Sequence, residues 1–162
     1  MQMRILVIVA LGLTGACGSG GPGQAVQARE IMALNDLRAI AMAQVVFSAG
    51  CGQGGYAVSL SALATPAPGD TSAPLAPDFN TAGASITRSQ YVVTLAPGMD
   101  AADGPADCQG RPTKTAFYAK AEPEPGTGGT RSFAVNAAGA VWERTGNTAP
   151  AEPFGEPATP VR

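Results

Sequence analysis

Histidine is absent from these 162 residues. Its absence removes the commonest general base and metal ligand, and with them Ser-His-Asp and Cys-His nucleophile arrangements. Charge is also sparse: Asp, Glu, Lys and Arg make up 14% of the chain and leave a net charge of −2. Nothing here would release many counterions from a phosphate backbone, which excludes a basic nucleic-acid binder. Long apolar runs are missing as well. Ile5 to Leu13 rises only about 13 Å as a helix, less than half a hydrocarbon core. Glycine and proline, by contrast, are plentiful at 21 and 14 residues, the signature of one turn-rich domain just short of the disordered range.

The N-terminus reads as a bacterial export signal. Arg4 supplies a positive region, Ile5 to Leu13 the apolar region, and Thr14-Gly15-Ala16-Cys17 follows. Small residues before a cysteine resemble the lipobox of bacterial lipoproteins, with Thr14 where leucine usually stands. The resemblance implies cleavage after residue 16, acylation of Cys17 and stable anchoring, since each buried methylene adds about 0.8 kcal/mol. Ordinary cleavage with Cys17 left as a thiol is the alternative. Residues 17–23 then form the lipidated cysteine and a flexible Gly-Ser-Gly-Gly-Pro-Gly spacer. Gly18, rather than Asp, after the cysteine implies an outer-membrane, periplasm-facing address in lipoproteins of the familiar Gram-negative type.

With Cys17 carrying lipid, two cysteines remain, Cys51 and Cys108, in an oxidising compartment. A disulfide between them is the economical reading; two free thiols or a metal pair is the alternative, and the metal lacks further ligands. Closing a loop of this length stabilises by about 4 kcal/mol in the chain-entropy model.

Residues 24–147 read as one α+β domain. Gln24 to Ser48 is rich in helix formers, lacks Gly and Pro, and stops at Gly50. At 100° per residue Ala33, Leu34, Leu37, Ile40, Ala41, Gln44, Val45 and Phe47 gather on one face. Gln44, near the middle of that face, must satisfy its amide against the backbone of a crossing loop or strand. Met32, Met42 and Val46 lie elsewhere and are too apolar for an indifferent surface; the domain is expected to wrap round them, the alternative being a partner packed there. Tyr56 to Leu63 is expected to be a second short helix, and Thr65 to Asp78 an irregular crossing. Gln90 to Leu95, Thr115 to Ala121, Arg131 to Val135 and Ala140 to Arg144 carry strand signals, about four strands in all, with a hairpin turn at Asn136 to Gly139. Residues 148–162 read as a proline-rich disordered tail.

This order, with the words Asn35-Asp-Leu-Arg-Ala-Ile-Ala-Met-Ala-Gln44, Gly55-Tyr-Ala-Val-Ser-Leu60 and Arg131-Ser-Phe-Ala-Val-Asn-Ala-Ala-Gly139 before Val141-Trp142, resembles the globular head of type IV pilins and type II secretion pseudopilins. The resemblance spans about Ala28 to Glu143. It implies a long helix packed on a small antiparallel sheet. Pilins begin with a peptidase site and a long apolar assembly helix carrying a glutamate; here the lipid signal stands in that place. Glu30 is not its equivalent, because it falls where the head covers the helix.

Candidate sites are few. Asp100, Asp103 and Asp107 share a glycine-containing loop ending at Cys108, and the resemblance to pseudopilins implies a calcium site in a comparable loop. The spacing is not that of an EF-hand, and a solvated loop is the alternative. Arg111, Lys114 and Lys120 could form a small basic spot. Tyr91 and Trp142 could be an exposed aromatic patch or pack the sheet on its helix. Glu122 and Glu124 lack the surroundings of a two-carboxylate hydrolase. An enzyme is therefore not expected, and no cofactor other than calcium. The expected function is a lipid-anchored, monomeric pilin-like head working through a protein partner, as an accessory to a pilus or secretion system; the alternative is an envelope-anchored module binding calcium, glycan or peptide.

Overall fold

A long helix lies across one face of an antiparallel sheet in the computed structural model, which describes residues 21–162. The signal segment, Cys17 and the first residues of the spacer lie outside the described residues. Helix α1 spans Pro22–Ala49, so Gly21, Pro22 and Gly23 are its cap and first turn rather than spacer. Proline is suited to that turn, where an N–H would have no helical partner and the preset φ already matches. Gly50 closes the helix, its N–H donating to the carbonyls of Val46 and Phe47.

Next come strand β1 (Tyr56–Ala57) and the single-turn helix α2 (Leu60–Leu63), so the stretch expected to be one helix is divided in two. Ser59 caps α2 by accepting the Ala62 N–H at 3.2 Å. A 3-10 turn at Pro77–Phe79 ends the proline-rich crossing. The remaining strands are β2 (Ser85–Arg88), β3 (Tyr91–Pro97), β4 (Thr113–Lys114), β5 (Phe117–Pro123), β6 (Arg131–Asn136), β7 (Val141–Thr145) and β8 (Thr159–Pro160).

Six strands pair antiparallel in the order β2-β3-β5-β6-β7-β8, with β1 and β4 forming a separate ribbon. The sheet is wider than the four strands expected from the sequence; β2 and β8 are the additions. Between β6 and β7, Gly139 sits at φ 81°, and its N–H returns to the Asn136 carbonyl at 2.9 Å. That left-handed position is one glycine adopts without steric cost.

One core fills the space between helix and sheet. Ala33, Leu37, Ile40, Ala43 and Phe47 of α1 are buried, as are Tyr91, Val93 and Leu95 of β3, Phe117, Ala119 and Ala121 of β5, and Phe133 and Val135 of β6. Alternation of buried and half-buried positions along β3 and β5 matches a sheet with one dry face. The sheet covers a narrower arc of α1 than the apolar pattern suggested. Val45 is exposed, and so are Met32, Met42 and Val46, which the domain does not wrap.

Residues 148–162 are ordered, contrary to the reading as a disordered tail. Ala149 and Ala158 are buried, Phe154 stacks on Trp142 with centroids 5.5 Å apart, and β8 pairs with β7 through Trp142–Pro160 and Glu143–Thr159. Tyr118 Oη donates to the Pro150 carbonyl at 2.6 Å. The outer face of the sheet carries Tyr118 and Trp142, and this extended segment gives those rings cover from water.

Candidate functional site

Cys51 follows the Gly50 cap of α1, and Cys108 lies within the loop between β3 and β4. They form a disulfide with Cα atoms 4.8 Å apart, and the Cys108 N–H donates to the Cys51 carbonyl at 2.7 Å. The chain around them is tightly packed. A Cβ on Gly55 would fall 2.0 Å from Thr113 Oγ1, which itself donates to the Pro105 carbonyl at 2.6 Å. Asp107, only 4% exposed, accepts the backbone N–H groups of Gln109 and Arg111 at 2.8 Å each and Arg111 Nε at 2.6 Å. Burial alone would raise its pKa; those donors outweigh burial and hold the carboxyl below the ordinary carboxylate range.

Beside the disulfide lies a half-open cleft of about 370 Å³, with Val46, Phe47, Thr65, Asp70, Pro74 and Arg111 on its walls. Its lining mixes apolar and polar groups about evenly, and its volume falls within the range of small-ligand clefts.

The three aspartates proposed for calcium are deployed separately. Asp103 is exposed and pairs with Lys114 Nζ at 2.7 Å, whose hydrogen bond and charge keep its carboxyl below the usual value. Asp107 turns inward onto Arg111, and Asp100 stands exposed at φ 59°. Among the described residues no group of three acidic, histidine or cysteine side chains is placed to hold a metal ion. The basic spot is likewise distributed. Arg111, Lys114 and Lys120 are each paired, with Asp107, Asp103 and Glu122 respectively.

A second polar region ties helix to sheet. Glu30, 4% exposed, accepts Arg131 Nη2 at 2.8 Å, Arg131 Nε at 3.0 Å and Thr130 Oγ1 at 2.8 Å. Burial would raise its pKa, yet the bonds from Thr130 and Arg131 prevail and lower it. Arg131 also reaches Glu143 at 2.7 Å. Tyr91 Oη donates to the Arg131 carbonyl, and its pKa is pushed up to about 12, first by burial and then by the Glu30 charge. Arg88 joins α1 to the crossing loop, meeting Asp36 at 3.0 Å and Asp78 at 2.5 Å, with its guanidinium 4.1 Å from the Phe79 ring centroid. Burial prevails at Asp36 and raises its pKa despite Arg88. Gln44 behaves as its place on the helix requires. Its amide donates to the Ala57 carbonyl and accepts the Ala57 N–H, both at 2.8 Å, which seats β1 on α1.

Tyr91 and Trp142 do not share a patch: Tyr91 is buried beneath α1, whereas Trp142 stacks on Phe154 on the other side of the sheet. Sequence reasoning missed the partnerships of Glu30 and Arg88, which join residues 101 and 52 positions apart and leave no local signal.

The described residues include one helix long and apolar enough to cross a bilayer, Gly23–Ala49, and its apolarity also serves the core. An apolar helix near the N-terminus is compatible with a signal or membrane anchor, and the disulfide points to an oxidising, extracytoplasmic compartment. No family model, curated protein or solved structure matches the chain.

Proposed function

We propose that this chain is a lipid-anchored, pilin-like protein of the bacterial cell envelope that acts by protein interaction, as an accessory to a pilus or secretion system. The observation that carries the reading is the Cys51–Cys108 disulfide. It uses both cysteines other than Cys17 and leaves that one, behind Thr14-Gly15-Ala16, to take the acyl chains. The order of long helix, disulfide-closed loop and antiparallel sheet supports the pilin-like part. Salt bridges from β2 and β6 to α1, Arg88 to Asp36 and Arg131 to Glu30, suit a rigid head that presents a surface.

The cleft beside the disulfide favours a second reading, an anchored module that binds a peptide end or small ligand there. Labelling cells with a palmitate analogue tests the first reading at its root. Wild type is expected to incorporate label and sediment with membranes, whereas Cys17→Ser loses both. Cross-linking in intact cells should then recover pilus or secretion components with the wild type. Equal labelling of both forms, or none of either, would overturn the lipid anchor; cross-links confined to a small-ligand or peptide donor would favour the second reading.

A further inference from the structure

The outer face of α1 bears Ile31, Met32, Met42, Val45 and Val46, each 52–65% exposed. At 100° per residue these five fall within an arc of about 140°, opposite the face that packs on the sheet. Between Ile31 and Val46 the arc runs about 22 Å along the axis and also exposes Asn35, Arg38 and Ala39. Both acids of the helix are committed elsewhere, Glu30 to Arg131 and Asp36 to Arg88, and Arg29 reaches the Thr127 carbonyl. The exposed arc thus carries one cation, Arg38, and no carboxylate.

We propose that this face lies on the lipid surface of the membrane that anchors the chain. The inference rests on the reading of Cys17 as lipidated. Four residues separate Cys17 from Pro22, and the five Cα steps span at most about 18 Å, so an acylated chain holds the start of α1 close to the headgroups. The five apolar side chains enter the boundary between headgroups and acyl chains, and Arg38 extends to anionic phosphates. Charge also selects this occupant over a second copy of the chain. Arg38 sits at the midpoint of the Ile31–Val46 stripe, and a two-fold pairing of stripes would set Arg38 against its own copy. Insertion of α1 across the bilayer would break the Gln44–Ala57 and Glu30–Arg131 contacts. Lying flat keeps both and turns the outer sheet face, with Trp142 and Phe154, away from the membrane.

The test uses the full-length, acylated protein in vesicles of phosphatidylcholine and phosphatidylglycerol, with brominated lipid as quencher. Met42→Trp in a Trp142→Phe background places the sole indole on the proposed face; Met42 is 65% exposed, and an unchanged melting temperature checks the fold. Bromolipid is expected to quench that indole severalfold more than Trp142 in the wild type. Vesicle flotation without quenching at position 42 would overturn the inference while leaving the anchor intact. The Cys17→Ser form of the same variant, at high lipid concentration, separates the two ideas. Quenching there supports the lipid-facing helix even if acylation of Cys17 fails, and its absence there together with cross-links from Met42→Cys to a second copy would overturn it in favour of self-association.

Discussion

Glu30 and Arg131 meet across the seam between α1 and β6, carboxylate oxygen to guanidinium nitrogen at 2.8 Å. The carboxylate is buried, and Thr130 adds an N–H and a hydroxyl to it. Glu30→Gln keeps the shape and removes the charge. The expected cost is about 2 kcal/mol at neutral pH, the size of a hydrogen bond to a charged group, measured by urea unfolding.

Acid should weaken the fold through the same group. Glu30 and Asp107 hold their protons less readily folded than unfolded, so each contributes stability that is complete above its unfolded value. That contribution is lost as pH falls through the lower folded value. Asp36, shifted upward, has the opposite sign: its contribution is present below the unfolded value and lost as pH rises through the folded one. The melting temperature of the wild type is expected to fall below the ordinary glutamate value of 4.5, and Glu30→Gln to show a shallower decline. Parallel curves for the two proteins would remove Glu30 from the acid response.

Gln44→Leu should be more damaging than its apolar surroundings suggest. It leaves the N–H and carbonyl of Ala57 without their partners, at about 1–3 kcal/mol for each buried group. Hydrogen exchange at the Ala57 amide should accelerate before the sheet amides do, because β1 loses its seat on α1.

Several of these features are legible in the sequence, for reasons that differ. Gln44 announces itself as a polar residue centred on an apolar helical face. The hairpin at Asn136 to Gly139 is marked by a glycine where φ is positive. Strand β2 escapes notice because Ser89 and Gln90, the residues joining it to β3, adopt positive φ without a glycine to signal the turn. Residues 148–162 look like a tail since proline and glutamate dominate them. Their order comes from Tyr118, Trp142 and Glu122 on the distant sheet, which no local pattern reveals. The uncovered face of α1 depends on how wide an arc the sheet spans, a property of the assembled fold.

Phe154→Ala tests that C-terminal segment. Trp142 is the chain's only tryptophan, so loss of the stacked ring should shift its emission to the red and expose residues 148–162 to protease. The aromatic pair itself is worth about 1 kcal/mol, so the rest of the domain should stay folded. An unchanged emission maximum would show that the segment holds without Phe154.

Reducing the Cys51–Cys108 disulfide should lower stability by about 4 kcal/mol, since the unfolded chain regains the freedom of the closed loop. Calorimetry with and without reductant measures it, and a Cys51→Ala, Cys108→Ala double variant should match the reduced wild type.

The most direct measurement is the intact mass of the protein extracted from membranes, taken before and after reduction. A chain beginning at acylated Cys17, heavier by two hydrogen atoms once Cys51 and Cys108 are reduced, is the expected result. An unacylated product with a different N-terminus, or thiols already free before reduction, would contradict it.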